Sequence, residues 1–245
     1  FDRVNFRYRG AEKLALTDLS FAVTAGQTLA IIGGTGAGKS TLLNLIARQF
    51  DAESGQVRVS DYPVEQISQH DLHQLVSLTQ QKAVLFSGTI RSNLQFGNPA
   101  ADEKAMWHAL EIAQAADFVK EAGGLDAVVD QDGANFSGGQ RQRLAIARTI
   151  IKPASVYLFD DSFSALDFKT DAKLRQALKA DGALKQAIKV IVAQRVATVA
   201  DADLILVLDD GHLVGKGTHQ ELKATNPTYQ EIIASQIEKG DQANA

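Results

Sequence analysis

A glycine-rich loop between an apolar segment and a helical pattern constrains the fold of this chain more than any other feature. The segment TLAIIGG reads as a short buried strand, and a helical pattern from Thr41 to Phe50 follows it. The loop GGTGAGKST, residues 33–41, fits the pattern G-x-x-x-x-G-K-S/T in the strand, loop and helix context that this pattern requires. We call it the P-loop, because its amides and the helix dipole attract phosphate, Lys39 reaches the β- and γ-phosphates, and Ser40 ligates magnesium. The predicted nucleotide-binding residues of the P-loop are Gly33, Gly34, Thr35, Gly36, Ala37, Gly38, Lys39, Ser40 and Thr41.

Apolar segments alternate with helical patterns in the second half of the chain. SVYLF, KVIVA and ADLILVL are near-continuous apolar strands, and a helical pattern near Thr170 to Lys179 separates the first two. Such alternation predicts a parallel sheet covered on both faces. At the start of the chain, two segments with period-two alternation predict an antiparallel β layer. Their apolar residues are Val4, Phe6 and Tyr8, then Leu19, Phe21 and Val23.

A helical stretch lies between these two sets of strands. Apolar residues recur with helical spacing from Asp102 to Val119, and a second helix is predicted from Ser137, a favourable N-cap residue, to Ile151. We therefore predict an α/β fold: a P-loop NTPase core with a mostly parallel sheet, an N-terminal antiparallel β layer and an inserted α-helical subdomain.

Composition and charge exclude several classes of protein. The 245 residues are 45% apolar and carry a net charge of −4, which disfavours a protein whose main partner is nucleic acid. The absence of cysteine excludes disulfides and thiolate metal sites. No apolar run approaches the roughly 18 residues of a membrane span. Because the chain begins at Phe1 on a strand-like segment, we expect it to be part of a longer protein.

Two adjacent carboxylates end the apolar strand VYLF. Beside a P-loop, an acid at the end of a neighbouring strand holds magnesium, and Asp160 is predicted to do so through Ser40 or water. Asp161 would then face the γ-phosphate. The alternative for both residues is simple turn capping.

A second anion site is predicted in the segment NFSGGQRQRLAIARTI, which begins at Asn135. Ser137, Gly138 and Gly139 lie there at a helix N-terminus. One chain cannot easily use both sites on one nucleotide. FSGGQ resembles the signature motif of ATP-binding cassette (ABC) transporters, and nearly the whole chain, with its P-loop, signature and paired aspartates in this order, resembles one of their nucleotide-binding domains.

The resemblance implies how the two anion sites are used. In this family two such domains pack head to tail, and ATP with Mg²⁺ is held between the P-loop of one and the signature of the other. The signature residues that would serve the partner's nucleotide are Ser137, Gly138, Gly139 and Gln140. The resemblance also implies one domain over residues 1–245, with an ATP-binding core at 1–85 and 154–240 and a helical subdomain at about 86–153.

Further positions match family motifs. Tyr8 lies where the family has an aromatic residue that stacks on adenine, although core packing is the alternative. Gln81 matches the glutamine that reaches magnesium and the attacking water and contacts the membrane domains, with Gln80 as the competing choice. The loop VVDQDGAN lies where exporters contact the coupling helices, but its acidic pattern departs from the usual one. The D-loop, which crosses the dimer interface in the family, is matched by Ser164, Ala165, Leu166 and Asp167.

Two departures from the family fall on the hydrolytic machinery. Asp161 stands where efficient members have glutamate, and the missing methylene withdraws the carboxylate by about 1.5 Å. Misplacement of a catalytic group by about 1 Å can lower the rate about 100-fold. Gln194 stands where they have the switch histidine, and glutamine cannot take up a proton. The chain therefore resembles the degenerate-site half of a heterodimeric multidrug-type exporter.

Three other functions are alternatives to this interpretation. They are a nucleotide-gated clamp with little hydrolysis, a homodimeric exporter ATPase, and a DNA-maintenance or translation ATPase, which would need basic surfaces or coiled-coil insertions that the sequence lacks. The resemblance implies that the domain lies at the cytoplasmic face of a membrane, with the membrane domain N-terminal to Phe1. The transported substrate would be recognised by the helices of that membrane domain.

Overall fold

The computed structural model describes residues 1–243, and this range contains thirteen strands and ten α-helices. The strands are β1 (Asp2–Phe6), β2 (Leu16–Leu19), β3 (Thr28–Gly33), β4 (Ser54–Gln56), β5 (Arg58–Val59), β6 (Tyr62–Pro63), β7 (Val76–Thr79), β8 (Gly88–Thr89), β9 (Val128–Val129), β10 (Val156–Asp160), β11 (Ile188–Val192), β12 (Leu204–Asp209) and β13 (His212–Gly217). The helices are α1 (Lys39–Ile46), α2 (Gln69–Leu75), α3 (Ile90–Gly97), α4 (Glu103–Ile112), α5 (Ala116–Glu121), α6 (Gly138–Ile150), α7 (Phe168–Ala180), α8 (Val196–Val199), α9 (His219–Thr225) and α10 (Pro227–Ala243). Within the same range, no helix has both the length and the apolar character that crossing a bilayer requires.

Nine of the strands form one sheet in the order β4-β1-β2-β13-β12-β3-β11-β10-β7. Within the run β12-β3-β11-β10-β7, each strand is parallel to the next. β1 pairs antiparallel with β2 and β4, and β13 pairs antiparallel with β12. A single bridging pair, His212 with Thr17, joins β13 to β2. The predicted α/β fold with a mostly parallel sheet and N-terminal antiparallel strands is confirmed, and the antiparallel strands extend the main sheet.

The central parallel strands are buried on both faces, as their continuous apolar sequences predict. Along β3, Leu29 and Ile31 face the hydrophobic cluster that includes α1, while Ala30 and Ile32 face the cluster that includes α3 to α7. Because β3, β11, β10 and β7 are adjacent and parallel, the loops that follow their carboxyl ends meet at one edge of the sheet. The fold thus brings together the P-loop, the paired aspartates, Gln194 and Gln81.

Local geometry departs from the patterns of the sequence in three places. The second N-terminal strand ends at Leu19, and Phe21 is buried instead by stacking on Phe1 at 4.5 Å, so its apolar character reflects loop packing. The helix predicted from 102 to 119 is two helices, because Gln114 adopts a left-handed φ of 57° between them. The segment QVRVS is divided between the main sheet and a separate β5-β6 hairpin.

Capping confirms one other prediction. Ser137 caps α6, where its hydroxyl accepts a hydrogen bond from the Gln140 amide and the Gln140 side chain accepts one from the Ser137 amide. β12 and β13 form a hairpin, whose turn residues Asp210 and Gly211 both have positive φ.

Candidate functional site

The P-loop connects β3 to α1 and presents a positive charge at its mouth. Gly38 is the N-cap of α1 with a left-handed φ of 97°, and Lys39 begins the helix. The Lys39 ammonium donates to the carbonyl oxygens of Gly33 at 2.9 Å and Gly34 at 2.6 Å. Burial lowers the pKa of Lys39, and the nearby aspartates oppose this shift. Because its hydrogen bonds go to neutral carbonyls, the ammonium charge is left to attract an anion.

Two glycines of the loop differ sharply in their surroundings. A Cβ on Gly33 would lie 2.1 Å from the Leu208 carbonyl oxygen of β12, whereas a Cβ on Gly34 would have no heavy atom within 4 Å. The first glycine permits close backbone packing at the end of β3, and the second faces open space in front of the loop.

Gly33→Ala is expected to lower the free energy of unfolding by about 2 to 3 kcal/mol, because the new methyl group would force two neighbouring strands apart. The neighbouring change Gly34→Ala, with open space at its Cβ, is the matched control and should alter stability by only about 0.5 kcal/mol. Urea unfolding of both variants measures the difference. Equal losses in the two variants would contradict the packing described for Gly33.

Ser40 and Asp160 meet although 120 residues separate them. The Ser40 hydroxyl donates to Asp160 Oδ1 at 2.9 Å. Burial raises the pKa of Asp160, an effect that the Ser40 hydrogen bond opposes. A hydroxyl and a carboxylate oxygen beside a phosphate loop are the hard donors that Mg²⁺ prefers, so the residues present fit this ion.

Asp161 follows directly and has a different environment. Its backbone adopts a left-handed φ of 45°, a region in which aspartate is tolerated better than most residues. Its side chain is 7% exposed, Oδ2 accepts from Gln194 Nε2 at 2.9 Å, and the buried Oδ1 has no hydrogen-bond partner. Burial raises the pKa of Asp161, and the Gln194 hydrogen bond opposes that rise. The carboxylate is thus drawn onto Gln194 with one oxygen free.

The two predicted glutamines are both exposed and lie at the same edge of the sheet. Gln194 follows β11 and contacts Asp161 directly. Gln81 follows β7 and lies close enough to Asp161 to lower its pKa slightly, but no hydrogen bond of good geometry joins the two side chains. Within the described residues, the structure therefore joins Gln194 to Asp161 and leaves Gln81 unbonded beside them.

Tyr8 lies against the helix that follows the P-loop. Its hydroxyl is 2.8 Å from Thr41 Oγ1, and its ring makes edge contacts with Phe6 and Phe50. The side chain remains 39% exposed. The ring is partly packed and partly free, so stacking on a base stays a prediction.

The signature segment lies beside the D-loop of the same chain. A Cβ on Gly139 would be 3.2 Å from the Ala165 carbonyl oxygen. Ser137 and Gly138 are exposed at the N-terminus of α6. In residues 1–243, no hydrogen bond or ion pair joins residues 137–140 to the P-loop, so the two anion sites are separate.

The D-loop is held at both ends. Ser164 donates through its hydroxyl to the Asp161 carbonyl at 2.8 Å, and Asp167 caps α7 by accepting from the Thr170 amide at 2.9 Å. Leu166 is buried. The roles that the resemblance assigns to these residues stay predictions.

Sequence reasoning missed Arg195 and Asp171, which connect the D-loop to the segment after β11. Arg195 donates to the Phe163 carbonyl and, at 3.1 Å, to the Leu166 carbonyl. Asp171 is 1% exposed and accepts from Thr198 at 2.6 Å. Only the position of Arg195 next to Gln194 hinted at this network in the sequence.

Comparison with known proteins gives the family. The family model described as "ABC transporter" matches residues 16–164, more than half of the chain. The chain belongs to the ABC transporter family. Within that family it is an ATP-binding domain of the transport ATPase class.

Individual relatives agree with this assignment. An uncharacterized ABC transporter ATP-binding protein of Mycobacterium bovis is 45% identical over 94% of this chain and 40% of its own length. An ATP-dependent lipid A-core flippase of Coxiella burnetii is 36% identical over 97% of this chain and 40% of its own. The solved structure of a bacterial Atm1-family ABC exporter with ATP bound superposes with a TM-score of 0.91 at 36% identity, covering 97% of this chain and 41% of that one. The ABC domain thus spans about 40% of the length of these relatives.

Proposed function

We propose that this ABC domain powers export across a membrane through ATP-driven, head-to-tail closure with a second ABC domain, and that its own ATP site hydrolyses weakly. One observation carries the second part. The Asp161 carboxylate, short by one methylene, is bonded to the Gln194 amide at 2.9 Å, so the two residues expected to act on the γ-phosphate and its water engage each other. Similarity to an exporter and a flippase supports the first part.

The bound group is proposed to be ATP with Mg²⁺. Ser40, Asp160 and Gln81 would hold the ion, which would supply charge neutralisation for the β- and γ-phosphates. Lys39 and the P-loop amides would bind the phosphates, and Tyr8 would lie against the base. Gln194 donates a hydrogen bond but exchanges no proton, so general-base work falls to Asp161 alone.

The partner is proposed to be a different ABC half. The separation of residues 137–140 from the P-loop supports a site completed across an interface. Because Ser137 is exposed and α6 has a complete capping box, this signature is intact and suits an efficient site on the partner. Weak hydrolytic residues at the chain's own site, together with an intact signature, favour a heterodimer over a homodimer.

The membrane domains are proposed to dock through coupling helices on an apolar surface beyond Gln81, which would place the domain at the cytoplasmic face. The rings of Phe86 and Phe96 pack against each other at a tilt, with centroids 4.5 Å apart, and both are exposed, as is Val128 of β9. Apolar residues grouped on a surface favour contact with another protein.

The test of this proposal is the effect of Ser137→Ala in the transporter assembled with a hydrolysis-competent second half. We expect Mg²⁺-dependent ATP turnover to fall about 100-fold, as when a preorganised donor to a reacting phosphate is lost, and chelation of Mg²⁺ to abolish it. ATP binding at this chain's own P-loop should not change.

Loss of the cap alone costs about 1 kcal/mol of stability, so a control is needed. Thr218→Ala removes an equivalent capping box from α9, which carries none of the site residues. Similar turnover losses in Ser137→Ala and Thr218→Ala would contradict the proposed role of the signature.

A nucleotide-gated clamp with little hydrolysis is the second candidate. The same Asp161 and Gln194 bond favours it, since mutual satisfaction leaves neither group oriented toward water. Tight ATP binding without turnover in the assembled protein would select it.

A further inference from the structure

We propose that Gln236, in the C-terminal helix α10, is a positioning residue for the ATP site because its side chain holds the segment that carries Gln194. The inference rests on the function proposed above, since Gln194 is assigned there to the γ-phosphate. Sequence motifs do not indicate Gln236, which lies 42 residues beyond Gln194.

The contact has two points. Gln236 Nε2 donates to the Gln194 carbonyl oxygen at 2.7 Å, and Gln236 Oε1 accepts from the Val196 amide at 2.9 Å. One planar side-chain amide therefore satisfies two backbone groups at the point where the segment after β11 enters α8. A pair of bonds from a rigid plane fixes both the position and the tilt of the backbone that it holds.

The opposite side of the segment is fixed to the body of the domain. Arg195 donates to the carbonyl of Phe163, just before the D-loop, and to the carbonyl of Leu166 within it, and Thr198 donates to the buried Asp171. Gln236 adds two hydrogen bonds that tie the same segment to α10.

The position of the segment determines where the Gln194 side chain points. That side chain is exposed, and within the described residues its one hydrogen bond is the bond to Asp161. Because the side chain is exposed, the backbone held by Gln236 sets the reach of the amide toward Asp161. The start of α10 is anchored by the fully buried Tyr229, whereas Ile237, next to Gln236, is 60% exposed. Any displacement of this outer part of α10 would be transmitted to Gln194.

The experiment compares Gln236→Ala with Gln230→Ala in the assembled transporter. Gln230 lies on the same helix, and its amide donates to the Lys223 carbonyl, away from the site. For Gln236→Ala we expect hydrogen exchange at the Val196 amide to be about fivefold faster and single-turnover ATP hydrolysis at this chain's own site to be about tenfold faster, because Asp161 is released from Gln194, with ATP affinity unchanged within about twofold. Gln230→Ala should change none of these quantities.

A double variant separates positioning from a general loss of structure. If Gln236 acts through Gln194, adding Gln236→Ala to Gln194→Ala should change the hydrolysis rate no further. A further tenfold change in the double variant, or unchanged Val196 exchange in Gln236→Ala, would overturn the inference. Faster exchange with an unchanged hydrolysis rate would also overturn it, because the contact would then be structural only. Absence of hydrolysis in the unmodified protein would instead count against the proposed function. The exchange rate of the Val196 amide would still decide whether the Gln236 contact exists.

Discussion

Lys39→Ala is expected to weaken ATP binding by about 100-fold or more, the largest loss of affinity from a single side chain in this domain. The ammonium lies at the mouth of the P-loop on neutral carbonyls, and it would exchange these partners for phosphate oxygens. Two charge-assisted hydrogen bonds, each about 1.5 to 3 kcal/mol, correspond to this factor. Calorimetric titration with Mg-ATP measures it.

Lys82→Ala is the matched control for charge. Lys82 is exposed next to Gln81, so its replacement removes the same positive charge near the site without touching the P-loop. We expect the affinity of the Lys82→Ala variant for Mg-ATP to change by no more than about twofold, in line with the weak effect of exposed charges. If both variants lost affinity equally, binding would depend on the general field at this edge of the sheet and not on the P-loop geometry.

Asp161→Glu combined with Gln194→His is expected to raise single-turnover hydrolysis at this chain's own site by about 100-fold. The added methylene extends the carboxylate by about 1.5 Å, and histidine adds a group that titrates near neutral pH. The change has a structural cost, because position 161 has a left-handed φ that aspartate tolerates better than glutamate. Destabilisation of about 1 kcal/mol would lower the melting temperature by about 2 to 4 °C.

The two single variants serve as controls for the double one. Asp161→Glu leaves Gln194 to compete for the longer carboxylate, and Gln194→His leaves the carboxylate short, so each is expected to gain less than the pair. A protein that already hydrolyses fast, and whose rate the double change does not alter, would refute the proposal of a weak site.

The main features of the site were predictable because they depend on local rules. A loop of glycines between a buried strand and a helix has few alternative uses, and the meeting of Ser40 with Asp160 follows from parallel strands whose carboxyl ends share one edge. The cap at Ser137 followed from helix-end chemistry in the same way.

The rest depends on contacts between residues distant in sequence, or on backbone angles. The hydrogen bonds of Gln236 reach Val196 and Gln194, which lie 40 and 42 positions earlier in the chain, and no periodicity in the sequence indicates them. The left-handed φ of Asp161 and the break at Gln114 are single-residue conformations that tertiary packing selects. The early end of β2 has the same origin, because Phe21 is buried against Phe1 and not in a strand.

The single bridge between Thr17 and His212 has a consequence for how ATP concentration acts on the whole domain. Tyr8 follows β1 on one side of this boundary, and Lys39 begins α1, after β3, on the other. A nucleotide held by both would fasten the two parts of the sheet across their thinnest junction. At 100 times its dissociation constant, such a ligand adds about 2.7 kcal/mol of stability by mass action. Without the nucleotide, this link across the junction and its added stability would both be lost.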